Sequence, residues 1–251
     1  MKTHFMYRAL AVCAAAALAG CSSVVAVKDV TADQEGYLQQ KFAPAAVDAA
    51  VLAKLPTAGA GSFTRMTMTR QVTSEGTDGK KETGTAVTTY RNGGNGIVYY
   101  KTEHAANGIP FGLGYTASYA GLLALRTQLV PLRLRNTTAI YEIKEIGSIT
   151  PLPAEVGKTF AVRFKTGTTM QVTNYQDTER ACTTARRFPA AELNGKLAGN
   201  ALEFNCEERT NNTVQNRSTW ALLEQYGFAV QTSGTSSTSK STYLITGVSG
   251  G

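Results

Sequence analysis

Phe160-Ala161-Val162-Arg163-Phe164-Lys165 places large apolar side chains at every second position and puts Ala, Arg and Lys between them. A period of two is that of a β-strand with one face buried and the other wet. The same alternation recurs at Leu202, Phe204 and Cys206. From Gly61 onward, Thr, Val, Tyr and Phe are frequent and turn signals recur at short intervals, which is the pattern of an antiparallel β domain. Asp78-Gly79 marks a first hairpin turn, and Asn92-Gly93-Gly94-Asn95-Gly96 a second. Strands are expected near 62–72, 84–91, 96–103, 138–146, 158–166, 168–176, 178–187, 200–208, 214–223, 226–232 and 241–248. The expected fold class is mainly β: antiparallel sheets forming a sandwich or a strongly curved sheet or partial barrel, with a few short helices.

Working outward from this core, two stretches depart from the pattern. Between Ala105 and Leu125 there is no charged residue, and glycines punctuate Ile109, Phe111, Leu113, Tyr115, Tyr119, Leu122 and Leu123. The expectation is a buried loop leading into an inserted helical segment near 117–130, because an apolar run of this length reads as a buried helix. Phe111, Leu113, Tyr115 and Tyr119 would then form the mouth of an apolar ligand cavity. The Ser/Thr tract from Thr232 to Thr242 reads as a solvated hairpin loop. On the amino-terminal side, Asp33 is placed to cap a short helix carrying Tyr37, Leu38 and Phe42. Pro44 suits the first turn of a second helix that ends before Pro56. The segments are therefore a signal peptide at 1–20, a tether at 21–33, helices at 34–58 and the β domain at 59–251.

The first 20 residues carry Lys2 and Arg8, then an apolar run from Ala9 to Leu18, then the small residues Ala19 and Gly20. These are the parts of a secretory signal peptide, and the apolar run is shorter than the roughly 20 residues a bilayer span requires. Leu18-Ala19-Gly20-Cys21 resembles the lipobox of bacterial lipoproteins. The resemblance covers 21 residues and implies lipidation of Cys21, which would become the mature amino terminus carrying diacylglycerol and an acyl chain. Ser22 and Ser23 follow where an Asp would imply retention at the inner membrane, so the resemblance implies an outer-membrane anchor facing the periplasm.

Cleavage removes two of 25 basic residues and none of 18 acidic ones, leaving a mature chain of formal charge about +5. That balance is compatible with an envelope protein or an anionic glycolipid as partner, alongside the membrane itself. An exported chain without a basic stripe is a poor nucleic-acid binder. Beyond Cys21 the mature chain has Cys182 and Cys206, which in an oxidising compartment read as one disulfide. No cofactor or metal is expected.

Catalytic motifs fail on context. Lys165-Thr166-Gly167 and Ser237 with Lys240 occur in the reverse of the order that penicillin-binding proteins use. His104 is the only mature histidine and has no nucleophile elbow to serve. Glu207 and Glu208 are adjacent in a strand and point to opposite faces. Arg186, Arg187, Arg133 and Arg135 would make an anion patch only if the fold gathered them. The expected function is a lipid-anchored envelope module with a non-catalytic binding or structural role. Next come a carrier of a lipid or other apolar ligand, and then a hydrolase whose residues meet only in the folded chain.

Overall fold

The computed structural model describes residues 25–59 and 61–250; the segment expected to be a signal peptide and the expected lipidation site Cys21 lie outside them. Twelve antiparallel strands run in chain order: β1 Arg65–Gly76, β2 Lys81–Gly94, β3 Ile97–Ala106, β4 Ile109–Tyr119, β5 Leu123–Pro131 and β6 Tyr141–Ile149, then β7 Thr159–Thr168, β8 Gln176–Pro189, β9 Asn200–Thr210, β10 Thr213–Leu223, β11 Phe228–Ser236 and β12 Ser239–Gly250. Each pairs with its chain neighbours, and β1 also pairs with β12, so the ladder closes into a barrel. Closure satisfies the backbone groups that an open sheet leaves at its edges. Two seams are thin. Only Arg126↔Glu142 and Thr127↔Tyr141 join β5 to β6, and three residue pairs join β11 to β12.

The chain before the barrel forms α1 (Val27–Ala32), α2 (Gln34–Phe42), a 3-10 turn at Pro44–Ala46 and α3 (Ala49–Leu52). Asp33 caps α2 by accepting from the Gly36 amide at 2.8 Å. The second expected helix is cut short, because Val47 is extended and Asp48 starts α3 by accepting from the Ala50 amide. The tether expected through residue 33 ends earlier. Ala26 bridges to Asn136, and Val27 and Val30 are buried, since their side chains join the core.

These helices cover the face of β3–β5 that carries Tyr99, Tyr115 and Gln128. Tyr37 donates its hydroxyl to Gln128 at 2.7 Å, Gln39 donates to Tyr99 at 3.1 Å, and Glu35 pairs with Arg91 at 2.7 Å. Phe42 stacks on Tyr115 with ring centroids 5.6 Å apart, and Tyr37 meets the same ring edge-on at 5.1 Å. A first core joins the helices to Tyr115, Tyr119, Leu125, Phe160 and Phe204; a second gathers Met66, Met68, Tyr90, Leu223 and Phe228. The opposite face of β2–β4 is also buried, by Thr88, Thr102 and Thr116.

Residues 117–130 are thus not helical: they are the end of β4, a tight turn and β5. Residues 115–123 are buried on both faces, which hides the two-residue period that identifies a half-wet strand, whereas β5 after Leu123 alternates buried and exposed positions. Ala120 and Gly121 take positive φ of 47° and 72° at the turn, and a Cβ at Gly121 would lie 2.3 Å from the Ala229 carbonyl. The Ala229 amide in turn donates to the Ala120 carbonyl at 2.8 Å, tying this hairpin tip to β11. The expected strand at 168–176 is instead largely the connection between β7 and β8, while the Ser/Thr tract extends β11 and β12 almost to the turn between them.

Candidate functional site: the cleft at the β5–β6 seam

Cys182 and Cys206 stand directly opposite each other on β8 and β9 and are joined as a disulfide. Two residues away on the same face, Arg180 opposes Glu208, and two further on Thr178 opposes Thr210. Across β7, Phe164 pairs with Thr178. Beyond the disulfide, Arg180, Glu208, Thr178, Thr210 and Phe164 form one wall of a cleft of about 240 Å³, completed by Leu123 and Thr127 of β5 and by Tyr141 and Ile143 of β6. The cleft exists because β5 and β6 part after two residue pairs, leaving room between them.

Its chemistry is mixed in a specific way. Thr127, Thr166, Thr178 and Thr210 supply hydroxyls and Gln176 an amide, while Leu123, Ile143 and Phe164 supply apolar surface. Its three charged side chains are all paired: Arg180 Nε donates to Glu208 Oε2 at 2.9 Å, and Glu142 is held by Lys144 at 2.7 Å and Arg126 at 3.4 Å. The Arg180 guanidinium also donates to the Leu122 carbonyl and lies over the Trp220 ring, 5.9 Å from its centroid. Trp220 is only partly buried and donates its indole N–H to Ser218 at 2.8 Å. Thr127 is hydrogen bonded to the buried Thr116 at 3.3 Å. Nearby, burial and the Tyr90 phenol push the Tyr100 hydroxyl up to about 12.

The other face of β7 and β8 is wet and carries a groove of about 570 Å³. Two ion pairs cross it, Lys165 with Glu145 at 2.9 Å and Arg163 with Glu179 at 3.5 Å. Glu207 lies between Arg209 and Arg217, and hydrogen bonding from Arg209 holds its carboxyl below the usual range. Such exposed pairs contribute little to stability. Arg186 and Arg187 are engaged by Glu203, Glu192 and Glu224, so no free arginine patch forms on this strand.

Of the residues expected at a cavity mouth, Leu113, Tyr115 and Tyr119 are buried, and Phe111 is largely exposed. The hydroxyls of Tyr115 and Tyr119 have no hydrogen-bond partner among the described residues, and burial pushes both phenols up. Phe111 and His104 line a small pocket of about 140 Å³ that also includes Ser74. Burial and the Arg70 charge hold His104 below its usual range. Ser74 and His104 do not form a nucleophile–base pair. In the ladder His104 is level with Ala86 and Arg70, four residues along β1 from Ser74, a distance of about 13 Å. Ser74 is instead hydrogen bonded to Ser241 at 2.9 Å. Among the described residues no group of three or more His, Cys, Asp or Glu side chains is gathered as for a metal.

Sequence reasoning found the two cysteines but missed Arg180, Glu208 and the threonines of the cleft. A signal for them was present: once Cys182 opposes Cys206 in antiparallel register, Arg180 must oppose Glu208 and Thr178 must oppose Thr210. Comparison of the chain with protein-family models, with curated proteins and with solved structures returned no match.

Proposed function

We propose that the protein is a lipid-anchored module of the cell envelope, held by acyl chains on Cys21 at the outer membrane and facing the periplasm. Its role is to bind, without chemical change, one neutral sugar ring of an envelope glycan in the β5–β6 cleft. The observation that carries this reading is the lining of that cleft. Hydroxyls and an amide surround apolar surface, and each charged side chain of the lining is engaged, Arg180 with Glu208 and Glu142 with Lys144 and Arg126, which leaves no unpaired charge to attract an ion. A pyranose offers hydroxyls at its edge and C–H groups on its faces, which suits such a lining. The cleft and the pocket at Phe111, about 240 and 140 Å³, are smaller than the roughly 300–1,000 Å³ typical of drug-sized ligands, and the larger groove on β7 and β8 is lined mainly by charged side chains, so a lipid carrier is less well supported. Anchoring by lipid rather than by strands fits the wet, ion-paired face of β7–β10, where a lipid-facing barrel wall would be apolar.

The test uses Trp220, the single tryptophan of the chain, whose ring lies against Arg180. Its emission is followed while methyl hexosides, N-acetylhexosamines, amino acids or octanoate are added to about 50 mM, enough to half-fill even a weak millimolar site. A saturable response to a sugar, lost in Ala124→Phe, is expected, because Ala124 lines the cleft and is exposed enough to accept the larger ring. A response to octanoate alone would replace this reading by the carrier. No response to any probe would remove the cleft as a ligand site.

A further inference from the structure

The barrel has two ends, and the lipid anchor belongs to one of them. In an up-and-down barrel the β1–β2, β3–β4, β5–β6, β7–β8, β9–β10 and β11–β12 connections all lie at the same end. The described chain begins there, strapped to the β5–β6 connection. Thr137 donates its amide to the Val25 carbonyl at 2.9 Å, Val27 donates to the Arg135 carbonyl at 2.9 Å, and Ala26 bridges to Asn136. From Cys21 to Val25 is four residues, a leash of at most about 14 Å even when fully extended. The headgroup layer on each side of a bilayer is itself about 5–8 Å thick. An acyl anchor at Cys21 therefore holds this connection against the membrane surface.

The composition of that end fits the contact. Arg133, Leu134 and Arg135 are consecutive and exposed, Leu134 at 55%. Leu132 donates its amide to the Phe111 carbonyl at 3.0 Å, so the start of β4, with exposed Ile109 and Phe111, lies beside the same connection. Met170 and Val172 of the β7–β8 connection are exposed as well. These five account for more than half of the nine exposed large apolar side chains among the described residues. Lys28 and Asp29 of α1, adjacent to the strap, are both exposed and offset one another.

We propose that residues 132–137, with Ile109 and Phe111, form a membrane-contact surface that rests on the anionic headgroups of the bilayer carrying the anchor. Arg133 and Arg135 pair with phosphate groups, Leu134 and Phe111 enter the interface, and the barrel stands with its β8–β9 end away from the membrane. The proposal rests on acylation of Cys21.

The full acylated protein is reconstituted in phosphatidylcholine vesicles containing phosphatidylglycerol, with one added cysteine carrying a fluorophore: Leu134→Cys at the proposed contact, or Lys196→Cys in the β8–β9 connection. A quencher attached to the lipid headgroup reports proximity. Quenching at 134 at least threefold stronger than at 196 is expected, as is a gain on raising the phosphatidylglycerol fraction. That gain is lost in R133E/R135E, each arginine near such a surface contributing a factor of about five in attraction. Equal quenching at both sites in protein that floats with the vesicles overturns the orientation while leaving the anchor intact. Protein that fails to float overturns the anchor and this proposal with it. Glycan binding in the β5–β6 cleft is read separately through Trp220 emission and is unaffected by either result.

Discussion

Breaking the Cys182–Cys206 bond should lower the stability of the barrel by about 3 kcal/mol. The bond spans 24 residues, and the chain-entropy relation for a loop of that length gives about 3.4 kcal/mol at 25 °C. Little of this is returned by relaxation, because Cys182 is fully buried and Cys206 nearly so, in a row between Phe160 and Ser218 that stays paired without the sulfur–sulfur bond. For a chain of this size each kcal/mol moves the melting midpoint by about 2–4 °C, so a fall of about 7–14 °C is expected. The comparison is made by calorimetry on oxidised protein, on protein reduced and kept reduced, and on C182A/C206A. The reduced wild type is the decisive sample, because it retains both side chains and loses only the cross-link. Melting within about 2 °C of the oxidised form would refute the loop-entropy reasoning and mean that residual structure already holds β8 against β9 in the unfolded chain.

Arg180→Met should destabilise by about 1–3 kcal/mol in urea denaturation, because Glu208 is left half-buried without its partner, while R180M/E208L should recover part of the loss. Phe42→Ala removes a fully buried ring stacked on Tyr115 and should cost about 3–5 kcal/mol, read from the same curves. Tyr100 stays neutral in the folded chain to about pH 12, whereas an unfolded tyrosine ionises near 10. Its contribution to stability is therefore complete below pH 10 and is lost as pH rises from 10 toward 12; Tyr100→Phe should flatten that alkaline decline in thermal melts. Cys21→Ser should abolish incorporation of labelled fatty acid and release the protein from sedimented membranes, and unchanged sedimentation would remove the lipid anchor from the proposal.

How much of this was legible in residues alone depended on whether a segment has one wet face. Phe160, Val162 and Phe164 alternate with more exposed neighbours, and their strand was visible in the sequence. Asp33 as a helix cap and the turns at Asp78-Gly79 and Asn95-Gly96 were also readable, because cap and turn chemistry is local. The stretch 105–125 was misjudged because helices bury one face of β4 and the barrel's threonines and tyrosines bury the other. The Asn107-Gly108 pair, with positive φ of 51° and 76°, was the local hairpin signal that should have outweighed the apolar run. The cleft could not be seen in this way. It depends on β5 and β6 separating after two residue pairs, a consequence of the nine-residue connection between them and of the helices packed alongside. Once the cysteine register is known, however, its charged pair follows by counting.

The pairing of β1 with β12 carries a consequence for how the protein is made. Thr73 meets Thr242 and Met66 meets Gly250, partners separated by most of the domain, whereas every other ladder joins strands that follow one another in the chain. Hairpins can form as successive strands of the polypeptide become available, but the seal waits for the final strand to arrive. Until then β1 and β11 each offer an open row of amides and carbonyls to any neighbouring chain. The interval before sealing is when the molecule is most exposed to aggregation. A translation product stopped before Ser239 would remain in that condition.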